Sequence, residues 1–269
     1  MMQAETLFKE GRLADAVDSQ LSFVKKNPSD SNARFFLAEL SAFQGDWERV
    51  DRQLDAISLQ NSNAAMLPLL FRQLVRAEII REQVFLEGRA PELVVALAHD
   101  CELQLEACTA FRLGQFDDCK ALLERADAER HSIRGTCDGK TFETLLDVDD
   151  RLRGVAEILT ASGKYFWIPW NSIESIEFEK PERPIDLIWR KAAISVKGGP
   201  DGEVYLPVRY PKPTTWTDDQ RLGRNTSWVE HASGLVTGVG QRTLLVEDEG
   251  IPILEIEAIN MESVAVSPE

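Results

Sequence analysis

Hydrophobic and polar residues follow two different periods along this chain. Up to about residue 130 the apolar positions step by three or four, the spacing that lines one face of an α-helix. Leu70, Leu74, Ala77, Ile80 and Val84 form one such stripe, and Leu97, Cys101, Leu105 and Cys108 form another. Residues 145–159 read as a further short helix, with Arg151 and Arg153 on its polar side. From Ser162-Gly163-Lys164 onward, short β-prone runs separated by Gly, Pro and Asp take over. The predicted strands cover 165–170, 173–178, 193–196, 204–210, 227–229, 241–247 and 253–257, with turns at 198–202 and 248–250. Five of the six tryptophans fall after residue 160, so the change of period is also a change of composition.

The helical part repeats itself. Gly11-Arg-Leu13, Gly45-Asp-Trp47 and Gly114-Gln-Phe116 align, each glycine being followed two positions later by a bulky apolar residue. Five positions after the glycine come Ala16, Val50 and Cys119, and twelve after it Phe23, Ile57 and Ala126. Gly11 and Gly45 lie 34 residues apart, the tetratricopeptide period, and Gly114 lies 69 beyond Gly45. Glycine permits the tight turn between antiparallel helices, the bulky residue seats the second helix, and the small residue allows close approach. The pattern is degenerate: Gln20 stands where an apolar side chain fits better, and Ile79 occupies the expected glycine position of the middle unit. The predicted fold class is therefore α+β, a tetratricopeptide-like helical repeat over residues 1–160 followed by a β-rich domain over 161–269. An unrelated helical bundle is the alternative for the first part.

Length supports two modest domains, since 269 residues exceed the roughly 100–150 of one ordinary core. Charge then narrows the partners. With 30 Lys and Arg against 45 Asp and Glu the net charge is −15. Splitting after Thr160 gives 19 against 28 and then 11 against 17, so both parts are acidic. Without a basic face to displace counterions, a nucleic-acid partner is not expected. No stretch approaches the ~18 apolar residues of a membrane span, and the polar opening lacks a signal-peptide core, so a soluble cytoplasmic protein is expected.

Candidate chemistry is sparse. Cys101, Cys108, Cys119 and Cys137 contain no Cys-x-x-Cys pair and read as buried free thiols. His99, His131 and His231 share no metal-ligand spacing, and no nucleophile elbow, phosphate loop or dinucleotide fingerprint is present. Gly238-Val-Gly240 reads as a turn or bulge. The run Asp147-Val-Asp149-Asp150 reads as a solvated helix N-terminus and lacks the alternation of a calcium loop. Neither a metal nor another cofactor is expected, and neither is catalysis.

The more specific residues pair aromatics with arginine: Trp189 and Arg190, then Tyr205, Arg209 and Tyr210, then Arg224 and Arg242. Such pairs anchor protein interfaces, and equally they clasp a small β domain internally. A third reading has Arg190, Arg209, Arg224 and Arg242 converging on an anion in a ligand-binding or catalytic β domain.

Together with Leu-Phe-x-x-Gly-Arg-Leu-x-Asp-Ala over 7–16, Tyr165-Phe-Trp-Ile-Pro and Asp186-Leu-Ile-Trp189-Arg190, these motifs resemble the ImpE family, also called TagJ. That family comprises accessory proteins of bacterial type VI secretion. The resemblance implies a cytoplasmic, non-enzymatic adaptor with a tetratricopeptide-like N-terminal part. Its implied partners are the small contractile-sheath subunit, bound through an amphipathic helix, and the ClpV ATPase that disassembles the sheath. A repeat-containing regulator unrelated to secretion is the remaining alternative.

Overall fold

The structure, a computed structural model, describes residues 2–60, 66–211 and 215–262. Seven helices come first: α1 Met2–Lys9, α2 Leu13–Lys26, α3 Ser31–Gln44, α4 Trp47–Gln60, α5 Met66–Glu87, α6 His99–Arg112 and α7 Phe116–Glu129. A two-residue strand, β1 Glu92–Leu93, sits between α5 and α6.

The repeating glycines mark three of the turns. Gly11, Gly45 and Gly114 adopt φ of +83°, +73° and +72°, which a side chain would oppose, and they separate α1 from α2, α3 from α4 and α6 from α7. Ala16, Val50 and Cys119 are buried where the helices of each pair approach. The irregular Gln20 is completely buried, and its Nε2 donates to the Ala33 carbonyl at 2.8 Å, tying α2 to the first turn of α3. A polar residue serves there because a backbone acceptor meets it. Ile79 marks no turn, since the 22-residue α5 runs straight through the position where a middle pair would bend.

Strands begin earlier than the sequence suggests. β2 Gly135–Cys137, β3 Lys140–Phe142, β4 Leu145–Asp147 and β5 Val155–Leu159 precede β6 Tyr165–Pro169, β7 Ile173–Phe178, β8 Trp189–Val196 and β9 Gly202–Pro207. After the short α8 Asp218–Arg221 come β10 Thr226–Glu230, β11 Val236–Gly240, β12 Thr243–Val246, β13 Glu249–Pro252 and β14 Ala258–Met261. The main sheet has nine strands in the order β1-β6-β5-β9-β8-β7-β14-β2-β3. Its pairs are antiparallel except β1 with β6. β13-β12-β4 and β10-β11 form smaller sheets.

Three expectations are corrected. Residues 145–159 contain two strands rather than a helix; β5 is buried at every position, where a near-continuous apolar run mimics a helical stripe, and β4 is only three residues long. The predicted strand at 253–257 is a turn leading into β14. The division expected at residue 160 falls inside the β5–β6 hairpin, where Leu159 faces Tyr165. One buried cluster crosses it: Phe71 packs edge-on against Trp189 at 6.0 Å, Trp47 stacks on Trp189 at 6.1 Å, and Phe85 meets Trp167 at 6.3 Å. A second cluster lies within the sheets around Trp170, Ile176 and Ile194.

Candidate functional site

The seam between helices and sheets gathers most of the residues that the sequence singles out. Helix C-termini leave carbonyls without partners and carry a partial negative charge, so arginine is favoured there. Arg224 donates through Nη2 to the carbonyls of Phe8 and Lys9 at the end of α1, at 2.7 and 3.0 Å. Arg209 Nη1 reaches the Phe43 carbonyl of α3 at 3.1 Å, and Arg221 Nη1 reaches that of Gln44 at 3.1 Å. Asp218 complements the opposite pole, accepting the Ala14 amide in the first turn of α2 at 3.3 Å. One short stretch after β9 thus caps three successive helices. Trp216 completes it, with the guanidinium of Arg209 4.9 Å and that of Arg221 5.9 Å from its ring.

Beneath this clasp lies a buried ionic network. Arg81 of α5 grips Glu157 of β5 through Nε and Nη2 at 2.7 and 3.1 Å, and Glu78 through Nη1 at 2.9 Å. Tyr165 and Arg242 also contact the Glu157 carboxylate, and Trp189 Nε1 donates to Glu78 at 2.8 Å. Burial alone would raise the Glu78 carboxyl, but Arg81, Trp189 and Arg209 outweigh it and hold the group below its ordinary range. Burial lowers the guanidinium groups of Arg209 and Arg242 to about 10.

The acidic run is also internal. Asp147 and Asp149 are fully buried, which corrects the solvated helix end expected from sequence. Asp149 accepts from Arg151 at 2.6 and 2.9 Å and from the Gly238 amide at 2.9 Å, while Asp150 accepts from the Val236 amide at 2.7 Å. Gly238 lies within β11 rather than in a turn, and it is a glycine because a Cβ there would stand 2.1 Å from the Tyr210 ring.

The seven sequence-selected residues do not assemble into one open site. Arg190 donates to the carbonyls of Glu179, Ile253 and Ile256 and stacks on Phe178 at 4.7 Å. Tyr205 donates to Glu203 at 2.9 Å, and Tyr210 donates to the Thr243 carbonyl at 3.1 Å. Trp189, Arg190, Tyr205, Arg209, Tyr210 and Arg242 are buried, and Arg224 is exposed. The four arginines therefore meet four different sets of acceptors. Sequence reasoning missed Glu78, Arg81 and Glu157, although Glu78 and Arg81 directly follow the stripe residues Ala77 and Ile80.

Open surface exists elsewhere. α4 and α5 diverge to leave a groove of about 590 Å³ floored by Trp47, Val50, Leu54, Val75, Ile79 and Ile80. Glu48 and Asp51 line its α4 side, and Arg72 and Arg76 its α5 side. Leu69, Arg72, Arg76 and Ile79 step by three and four along α5, and Leu69 and Ile79 are exposed. A larger cleft of about 1080 Å³ separates α5 and α6 from β10 and β11, lined by Phe85, Phe111, Arg112, Trp216 and His231 among others.

Burial pushes the thiols of Cys101 and Cys108 up to about 12 and those of Cys119 and Cys137 up to about 11. Among the described residues, no group of three or more His, Cys, Asp and Glu is placed to hold a metal ion. Nor, among them, is any helix long and apolar enough to cross a membrane.

Over 250 residues the chain is 32% identical to the type VI secretion system accessory component TagJ of Pseudomonas aeruginosa, covering 93% of this chain and 87% of that protein. The model of the ImpE protein family matches residues 139–260. The chain belongs to the ImpE/TagJ family. The ImpE match spans β3 to β13 and all seven sequence-selected residues, whereas the α4–α5 groove lies outside it. A crystal structure of a Vibrio parahaemolyticus protein superposes with a TM-score of 0.91 at 24% identity, covering 98% of this chain and all of that one, and so shares the fold.

Proposed function

We propose that this ImpE/TagJ-family chain is a non-enzymatic adaptor of type VI secretion, whose helical part acts as a tetratricopeptide-like repeat that receives an amphipathic helix. In this reading it works in the cytoplasm, the bound helix belongs to the small contractile-sheath subunit, and binding tunes sheath disassembly by the ClpV ATPase. The observation that carries the reading is the α4–α5 groove, whose apolar floor is edged by charged side chains, with Arg72 of α5 paired to Asp51 and Asp55 of α4. An amphipathic helix gains about 25 cal/mol per Å² of apolar area buried there, before ordering costs. The spacing of the apolar floor residues, with exposed charges such as Arg76 at the edge, sets its register. The anion-binding alternative loses support because Arg190, Arg209 and Arg242 are spent on internal carbonyls and carboxylates.

Titration calorimetry of the intact chain with a peptide copying the N-terminal helix of the small sheath subunit tests this directly. Binding should depend only weakly on salt and should be lost in Ile79→Asp, which changes an exposed groove residue. If the intact chain does not bind that peptide, the sheath-adaptor reading fails. If Ile79→Asp binds it undiminished, the partner stands and the groove is wrong.

A further inference from the structure

Toward the N-terminal half of α3, a recess of about 500 Å³ opens between α1, α3 and the 3-10 turn Pro184–Leu187. Its walls are aromatic, formed by Phe8, Phe35 and Phe36 beside Pro184. At its base sits a carboxylate. Glu39 is only 2% exposed, and its Oε1 receives no hydrogen bond among the described residues. A buried acceptor left in this state costs free energy unless something cationic or protic meets it.

The chain's own Arg183 shows what the recess attracts. Its Nε stands 3.4 Å from that Glu39 oxygen, outside good hydrogen-bonding distance, and its guanidinium lies 4.3 Å from the centre of the Phe35 ring. The Arg183 side chain is 41% exposed, so it leans on the pocket from the rim rather than filling it. Aromatic faces and a carboxylate arranged around an open volume form a cation site, and a planar guanidinium suits it better than an ammonium.

We propose that this recess takes an arginine side chain from a protein partner, which pairs with Glu39, lies against Phe8 and Phe36, and displaces Arg183. A net charge of −15 draws basic partners toward the chain. The groups facing the site are Glu5 and Lys9 on α1, Glu39 on α3, and Arg183 and Asp186 on the adjoining turn. Burial raises Glu39 to about 7, against the pull of Arg183 and the Ile185 amide. An incoming cation therefore draws the proton off, and binding tightens from pH 6 to pH 8. The site lies apart from the α4–α5 groove and does not depend on it.

The test titrates the intact chain with Nα-acetylarginine amide at pH 8, followed by NMR, with Nα-acetylcitrulline amide as the uncharged isostere. Saturable binding of the arginine probe is expected, with the citrulline probe roughly tenfold weaker. Glu39→Gln should weaken the arginine probe roughly tenfold while the protein stays folded. Arg183→Ala, at an exposed position, should tighten it severalfold, because the intramolecular competitor is gone. Equal binding of the two probes overturns the proposal, and so does an Arg183→Ala variant no tighter than the parent.

Discussion

Arg81 and Glu157 face each other across the seam, 76 residues apart in sequence, joined by two hydrogen bonds at 2.7 and 3.1 Å with neither side chain open to solvent. A pair this deep contributes little net stability over an apolar pair, but removing Arg81 takes a counterion from two buried carboxylates, Glu157 and Glu78. Arg81→Met should therefore cost on the order of 3–5 kcal/mol, more than an average core substitution. Adding Glu157→Gln to it should recover part of that loss. Denaturant unfolding of the two single variants and the double variant checks this, and fully additive losses would count against the pairing.

Helices and sheets share one buried cluster, so cutting the chain at residue 160 should leave neither piece natively folded. The cut separates β5 from β6 and parts Trp189 from Phe71 and Trp47. Circular dichroism of fragments 1–160 and 161–269 should show cooperative unfolding in neither, while the intact chain melts in one transition. A fragment that melts cooperatively by itself would show that the shared cluster is dispensable.

Much of this fold was legible in local pattern. The glycine-marked turns, the stripe of α5 and most of the β-prone runs follow from periodicity, because neighbours along the chain decide them. What escaped is what distant residues decide. The strand β5 is covered on both faces, so it lacks the alternation that distinguishes a strand from a helix, and the three residues of β4 are too few to show it. The acidic run at 147–150 looked solvated because its partners, Arg242 and the amides of β11, lie about 90 residues away. The aromatic and arginine motifs were found, yet their role as an internal clasp depends on the ends of α1 and α3, which no local pattern reveals. Glu39 gave no signal at all, since a lone glutamate on a helix is usually exposed.

The clasp itself should matter modestly. Arg224 is exposed, so replacing it with alanine should cost about 0.3–1 kcal/mol, the usual worth of a cation at a helix C-terminus. Hydrogen exchange should report the loss more sharply, with α1 amides losing protection while those of α3, held by Arg209 and Arg221, keep theirs. Unchanged exchange in α1 would mean that the Arg224 contacts add nothing in solution.

Close approach at β11 predicts a larger effect from a smaller change. Gly238→Ala places a methyl group against the Tyr210 ring, whose hydroxyl both donates to and accepts from Thr243 and so cannot easily withdraw. A loss of about 1–3 kcal/mol or more is expected from such overpacking. Tyr210→Leu should tolerate the same alanine better than the parent does, measured as a smaller added drop in melting temperature.

The last prediction concerns pH. Burial raises Glu39 from 4.5 to about 7 and Asp147 from 3.8 to about 6. In both cases the folded chain holds the proton more tightly than the unfolded chain, so stability falls as pH rises through the window between those values. For Glu39 alone the loss from pH 4.5 to pH 7.5 is on the order of 2–3 kcal/mol. Two groups act the other way. Glu78 is held below its ordinary range, and its contribution is lost as pH falls below about 4.5. His231 is lowered, chiefly by burial, and it removes some stability below its ordinary 6.5. Glu78 acts below about pH 4.5, and Glu39 and Asp147 act together above it, so the melting temperature should peak near pH 5 and decline toward pH 8. Glu39→Gln isolates one contribution. It should match the parent near pH 5 and exceed it at pH 8, because the glutamine carries no charge to bury. A variant less stable than the parent at pH 8 would mean that Glu39 is ionised and well paired in solution.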